Sequence, residues 1–188
     1  MARILVFYGT TDGQTAKIAA AIGDELRAGG GIVDVVDAAG SGSTTRPDDY
    51  DAVIVAASVH ASGYQKSVQR WVTRHSVALG GRRSAFVSVC LGVLEKKPEV
   101  DRALAEIRRK FFDATGWQPQ TTHVVAGALL YRRYNFLKRW TMRRIVARAH
   151  GDTDTSRNYE YTDWDDVKAF ARAFGAGVRG ATERGAEG

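Results

Sequence analysis

The sequence has a single cysteine, Cys90, in 188 residues. A lone thiol excludes an internal disulfide and removes the usual sequence sign of an oxidising compartment. No apolar run approaches the ~20 residues that a membrane-spanning helix needs. The chain opens directly on a strand-like run, Arg3–Tyr8, rather than on a signal peptide, so the expected location is cytoplasmic. His75, His123 and His150 have no cysteine or carboxylate at metal-ligand spacing, and no metal site is expected. No Ser–His–Asp or paired-carboxylate pattern is present, and no internal repeat. Acidic residues are missing from one long stretch: none lies between Asp113 and Asp152, while Arg132, Arg133, Lys138, Arg139, Arg143, Arg144 and Arg148 all do. The net charge of the chain is +6, so this stretch supplies its entire basic character and the remainder is close to neutral. Tyr131, Tyr134, Phe136, Leu137 and Trp140 are interleaved with those cations. The mixture suits an anionic surface with an apolar interior, either a lipid headgroup layer or an acidic hydrophobic ligand.

What is present is an ordinary globular composition, 44% hydrophobic and 26% charged, in a length that fits one domain with a core of its own. Ile4–Tyr8, Ile32–Val36, Ala52–Ala57, Ala85–Cys90 and Val124–Ala128 are continuous β-branched-rich runs of strand length, as in strands buried on both faces of a parallel sheet. Thr15–Ala28, Gln65–Ala78 and Pro98–Thr115 carry apolar residues at helical spacing. A last helix begins near Asp163, with Thr162 or Asp163 as N-cap, and presents Val167, Phe170, Ala171 and Phe174. The alternation predicts an α/β fold: a doubly wound five-stranded parallel sheet in one domain over residues 1–175. Gly40–Asp49 reads as a flexible loop, residues 130 to about 160 as a long basic insertion before the last helix, and 176–188 as a disordered tail.

The turn after the first strand, Tyr8-Gly9-Thr10-Thr11-Asp12-Gly13-Gln14-Thr15, offers hydroxyls and backbone N–H groups at the positive end of a helix, which suits a phosphate. It lacks the lysine of a nucleoside-triphosphate loop and the three glycines of a dinucleotide fingerprint. A plain strand-to-helix turn capped by Thr or Asp remains the alternative reading.

Thr10-x-Asp12-Gly13-x-Thr15 resembles the flavodoxin phosphate loop, which holds flavin mononucleotide (FMN). Asp12 departs from the threonine usual there. A carboxylate facing a phosphate is repelled, so its side chain is expected to cap the helix or brace the turn. The resemblance narrows with Thr11-Asp12-Gly13-Gln14-Thr15, Tyr50-Asp51, Ala57-Ser58-Val59-His60, Ala126-Gly127-Ala128-Leu129-x-Tyr131-x-Arg133-Tyr134, Gly151-Asp152-Thr153-Asp154-Thr155 and Tyr161-Thr162-Asp163-Trp164. In that order they are similar to the menaquinone-dependent protoporphyrinogen oxidases, a flavodoxin-like family with such an insertion. The resemblance implies strand order 2-1-3-4-5 and FMN as cofactor. It implies an FMN-dependent oxidoreductase that oxidises protoporphyrinogen IX to protoporphyrin IX and passes electrons to menaquinone or ubiquinone. Thr10, Thr11, Asp12, Gly13, Gln14 and Thr15 would contact FMN. So would Ser58, Val59, His60, Ala61, Ser62 and Gly63 after the third strand, and Ser88, Val89, Cys90, Leu91 and Gly92 at the end of the fourth.

Tyr64 is either a ring neighbour or the start of the next helix's apolar face. Cys90 is read as a buried small hydrophobe rather than a redox thiol. Catalytic residues are not evident. In the insertion, Tyr131, Arg132, Arg133, Tyr134, Lys138, Arg139, Trp140, Arg143 and Arg144 are assigned to the porphyrinogen propionates or to anionic lipid, with a solvated arginine-rich cover as the alternative. As one helix over Tyr134–His150 it changes apolar side near Trp140. The implied location is peripheral, on the inner face of the cell membrane beside the membrane quinone. Cys90-Leu91-Gly92-Val93-Leu94 replaces a more polar run of the family, and Thr11 departs in the phosphate loop, which leaves room for a quinone reductase with another partner. A flavodoxin-type electron carrier is the other alternative, against which the basic insertion counts because such carriers dock through acidic faces. Nucleic-acid binding by stacking on the aromatics is remote for a patch beside a flavin crevice.

Overall fold

The continuous apolar runs form a parallel sheet because both of its faces are covered. The computed structural model describes residues 1–40, 44–60, 63–129, 154 and 156–186. Its strands are β1 (Arg3–Gly9), β2 (Ile32–Asp37), β3 (Ala52–Ser58), β4 (Arg83–Cys90) and β5 (Thr121–Ala126), in the order β2-β1-β3-β4-β5 with every pairing parallel. This is the expected flavodoxin-like order. Between and after the strands lie α1 (Gln14–Ala28), α2 (Lys66–Gly80), α3 (Pro98–Thr115) and α4 (Trp164–Ala186).

The two-residue period of a strand divides the core between the faces. Ile4 and Val6 of β1 pack with Ile18, Ile22 and Leu26 of α1 and with Val167, Phe170 and Phe174 of α4. Leu5 and Phe7 point the other way, into Val68, Trp71 and Leu79 of α2, Phe111 of α3 and Trp117. Phe7 and Trp71 stack at 3.9 Å between ring centroids, and the Trp71 indole N–H reaches the Thr45 carbonyl at 2.9 Å. That bond, the burial of Pro47 and the Arg82 contacts to Tyr50 O and Asp48 pin the described end of the loop before β3. Residues 41–43 of the expected flexible loop lie outside the described residues.

Two boundaries differ from the sequence reading. β5 starts at Thr121 rather than Val124, because Thr121 and Thr122 continue the ladder opposite Ala85 and Phe86 on an edge strand that tolerates one polar face. It stops at Ala126, and Ala128–Leu129 become β6, which pairs antiparallel with β7 (Tyr159–Glu160) to close the base of the insertion. The last helix also passes residue 175, where a tail is expected, and continues to Ala186. Val178 extends the stripe of Val167, Ala171 and Phe174 and is fully packed. This stretch carries Gly175, Gly177, Gly180 and Gly185, each costing roughly 1 kcal/mol in a helix. It is tied to the domain by the burial of Val178 and by Arg179, which donates to Gly29 O at 2.8 Å.

Candidate functional site

In this sheet the chain leaves β1 through α1 on one face and β3 through α2 on the other. The two loops diverge at the carboxyl ends of adjacent strands, where an open α/β sheet is expected to hold its ligand crevice. The segments expected to bind FMN lie around this point, after β1, after β3 and at the end of β4.

The loop after β1 is tight. Gly13 has φ 97°, a conformation that disfavours any side chain, and its N–H donates to Thr10 Oγ1 at 2.9 Å. Gly9 is fixed by close approach: a Cβ there would collide with Val68 Cγ2. α1 then begins with two buried polar side chains, Gln14 (5% exposed) and Thr15 (1% exposed). Gln14 Nε2 donates to Thr162 Oγ1 at 2.9 Å, and Thr162 donates to Ala126 O at 2.8 Å. Gln14 Oε1 and Thr15 Oγ1 have no hydrogen-bond partner. Buried polar atoms are almost always paired, so two orphans in one turn indicate capacity reserved for a ligand.

The loop after β3 faces the first. Val59 N–H donates to Val89 O at 2.9 Å and so carries the ladder past Ser58, and His60 and Gly63 exchange backbone hydrogen bonds at 2.7 and 2.9 Å. Ala61 and Ser62 between them lie outside the described residues. Gln65 joins the loops: its Nε2 donates to Ser58 Oγ at 2.6 Å and to Thr11 Oγ1 at 3.2 Å, and its Oε1 accepts from Ser58 N–H at 3.3 Å. His60 Nε2 lies 3.6 Å from Asp12 Oδ2 across the same gap. Asp12 therefore braces two loops rather than its own turn alone.

The end of β4 is different in kind. Ser88 and Val89 are buried within the strand. The Ser88 hydroxyl is hydrogen-bonded with Tyr64 OH at 2.8 Å, while Val89 packs in the α1–α4 core. Tyr64 lies edge-on to Phe86 and Phe111, with ring centroids 5.0 and 5.1 Å away, and burial pushes its hydroxyl up to about 12. It belongs to the apolar layer. Burial raises the Cys90 thiol above its usual value, against a smaller opposing pull from the Val93 backbone. Leu91 packs on Ala128 and Leu129 with Tyr159 and Tyr161, and Gly92 lies against Val100 and Leu104 of α3.

The base of the insertion is tied to this end of the sheet. Lys17 of α1 meets Glu160 at 2.8 Å, and Trp164 Nε1 donates to the other oxygen of Glu160 at 3.0 Å. The Lys17 hydrogen bond holds the Glu160 carboxyl below its ordinary range. Asp163 caps α4 by accepting from the N–H groups of Asp165 and Asp166, which frees Thr162 for Gln14. Tyr131, Arg132, Arg133, Tyr134, Lys138, Arg139, Trp140, Arg143 and Arg144 lie outside the described residues, as does the expected change of apolar side near Trp140. Sequence reasoning missed Gln65 and the Gln14–Thr162 link. Only tertiary proximity reveals them, although Gln14 and Thr162 each fall in a quoted motif. Among the described residues no group of three His, Cys, Asp or Glu side chains is placed to hold a metal ion.

A flavodoxin-domain family model matches residues 5–156. Protoporphyrinogen IX dehydrogenase (quinone) of Escherichia coli K12 is 34% identical over 171 residues, covering 90% of this chain and 93% of that protein. The protein of the same name from Leishmania major is 34% identical over 179 residues, covering 93% of this chain and 75% of its own length. Among solved structures, oxidised flavodoxin 1 from Bacillus cereus superposes with TM-score 0.55 at 13% identity, covering 92% of this chain and 97% of that one. A flavodoxin from the domain Archaea gives 0.51 at 14% identity, covering 94% and 99%. These structural matches carry the fold alone.

Proposed function

The chain belongs to the flavodoxin-domain family, in the group whose relatives are named protoporphyrinogen IX dehydrogenase (quinone), and on that premise we propose that it is an FMN-dependent oxidoreductase that converts protoporphyrinogen IX to protoporphyrin IX with menaquinone or ubiquinone as acceptor. The observation that carries this reading is the buried, unpartnered Thr15 hydroxyl at the head of α1. A phosphate monoester fits it: Thr15 donates, the first N–H groups of α1 point the same way, and no cationic side chain is needed. Thr10, Thr11, Asp12, Gly13, Gln14 and Thr15 would frame the phosphate. Ser58, Val59, His60, Ala61, Ser62 and Gly63 would lie along the ring edge, with Cys90, Leu91 and Gly92 at the far end and Ser88 and Val89 behind them. When bound, FMN supplies hydride and electron chemistry that no side chain of this protein can.

The protein's own part is placement. Gln65 holds the first two loops at fixed separation, and the Gln14–Thr162–Ala126 chain fixes the start of α1 against the end of β5. The aromatic and basic residues of the insertion, Tyr131 to Arg144, would take the substrate propionates and an anionic lipid surface. No helix among the described residues is long and apolar enough to cross a membrane, and the location we propose is peripheral, on the inner face of the cell membrane.

Heat-released cofactor from purified protein should co-migrate with FMN and restore a yellow holoprotein on addition to apoprotein. Loss of its 5′-phosphate should abolish tight binding. Liposomes containing anionic lipid should float the wild type but not a variant with Arg143 and Arg144 changed to Glu. Equal flotation of both would remove the lipid role.

A further inference from the structure

His60 and Asp12 belong to the two loops that border the crevice, one after β3 and one after β1, and their side chains meet across it at 3.6 Å. His60 is held in place by its two backbone bonds to Gly63 and by the neighbouring Val59–Val89 bond, yet its side chain is 39% exposed. A fixed backbone with a reachable ring is what a proton-transfer group needs. The other titratable groups of these loops are unsuited. Tyr64 is bonded to Ser88 and pushed up to about 12, Cys90 is buried with its thiol raised, and Glu95 is paired with Lys97 at 3.4 Å. Imidazole is the side chain whose ordinary titration falls near neutrality, and a carboxylate beside one ring nitrogen favours its protonated form.

We propose that His60, oriented by Asp12, carries the proton of the redox cycle between substrate and quinone; this rests on the oxidoreductase reading given above. With FMN bound to supply the hydride acceptor, each two-electron step would take a hydride from a porphyrinogen carbon and an N–H proton onto the His60 ring, and a new carbon–nitrogen or carbon–carbon double bond would close in the substrate. Reoxidation by the quinone would return that proton from His60 to a quinone oxygen. Quinone, hydride and proton make the quinol, and the imidazole returns to neutral. Asp12 acts as a positioning residue.

The test has two arms. In apoprotein, the His60 ring titration followed by NMR should move to lower pH in Asp12→Asn; an unchanged titration overturns the pairing. In FMN-saturated protein, anaerobic reduction by protoporphyrinogen should slow at least tenfold in His60→Ala and be restored by added imidazole. The low-pH limb of the wild-type rate should shift downward in Asp12→Asn, because the neutral ring is the acceptor. The FMN affinity of His60→Ala, read by flavin fluorescence, sets the FMN concentration at which the variant is saturated for this comparison. An unaltered rate, or a loss that follows FMN affinity and resists imidazole, overturns the proton role and makes the pair a latch. A wild-type flavin that stays oxidised with porphyrinogen overturns the function itself, and this step with it.

Discussion

The loop after β1 and the end of β4 both stand at the carboxyl edge of the sheet, and both bury polar side chains there. At β4 the polar groups answer one another: Ser88 bonds Tyr64, and the Cys90 thiol is kept neutral by burial. At the head of α1 they do not, since Thr15 Oγ1 and Gln14 Oε1 are buried with no partner. Leaving a buried hydroxyl unpaired costs about 1–3 kcal/mol, so the two regions divide the work. One spends its hydrogen bonds on folding, and the other holds them for a ligand.

That contrast can be broken by paired substitutions. The largest effect is expected from Thr15→Val. Loss of a hydrogen bond to a charged phosphate, about 1.5–3 kcal/mol, should weaken FMN binding roughly ten- to hundredfold. Apoprotein melting should stay level or rise, because an unpaired hydroxyl has been removed. Ser88→Ala should do the reverse. Tyr64 is left with a part-buried, unmatched hydroxyl, stability should fall by about 1–2 kcal/mol in urea titration, and FMN affinity should hold. If both variants lost affinity equally, the two regions would not differ as described.

A smaller effect is expected at Cys90. With its thiol raised by burial, alkylation at neutral pH should be much slower in folded protein than in denatured protein, and Cys90→Ala should keep porphyrinogen oxidation. The smallest belongs to the ion pair between Lys17 and Glu160, whose side chains are 57% and 34% exposed. Because the folded carboxyl sits below its ordinary value of 4.5, the pair stabilises at neutral pH and its contribution fades as pH falls through the lowered folded value. Glu160→Gln should cost no more than about 0.5 kcal/mol at pH 7 and nothing in acid.

The sheet was legible in the sequence because strands covered on both faces read as unbroken apolar runs, and Ile4–Tyr8 and Ala52–Ala57 need no partner to be recognised. The edge strand was less so: Thr121 and Thr122 join β5 only because Ala85 and Phe86 offer a ladder, which no local pattern reveals. In the glycine-rich extension of α4, Val178 is the buried residue among the described side chains, a weak signal until it is seen in one core with Leu26 and Ile4. At the site, the hydroxyls of Thr10 and Thr15 were visible as a motif, whereas their difference in partnership was not. Gln65 spans loops 54 residues apart in sequence at Thr11 and seven apart at Ser58. Such a link depends on the crossover between β1 and β3 and leaves no trace in spacing.

We propose that the crevice beside Thr15 holds a flavin that takes electrons from a porphyrinogen and gives them to a quinone. It is tested most directly by mixing the purified yellow holoprotein anaerobically with protoporphyrinogen IX and then with a menaquinone analogue, following the flavin absorbance at about 450 nm. Rapid bleaching is expected in the first mix and full return in the second, with porphyrin appearing in step. A flavin that stays oxidised in the first mix, or stays bleached after the quinone is added, would contradict it.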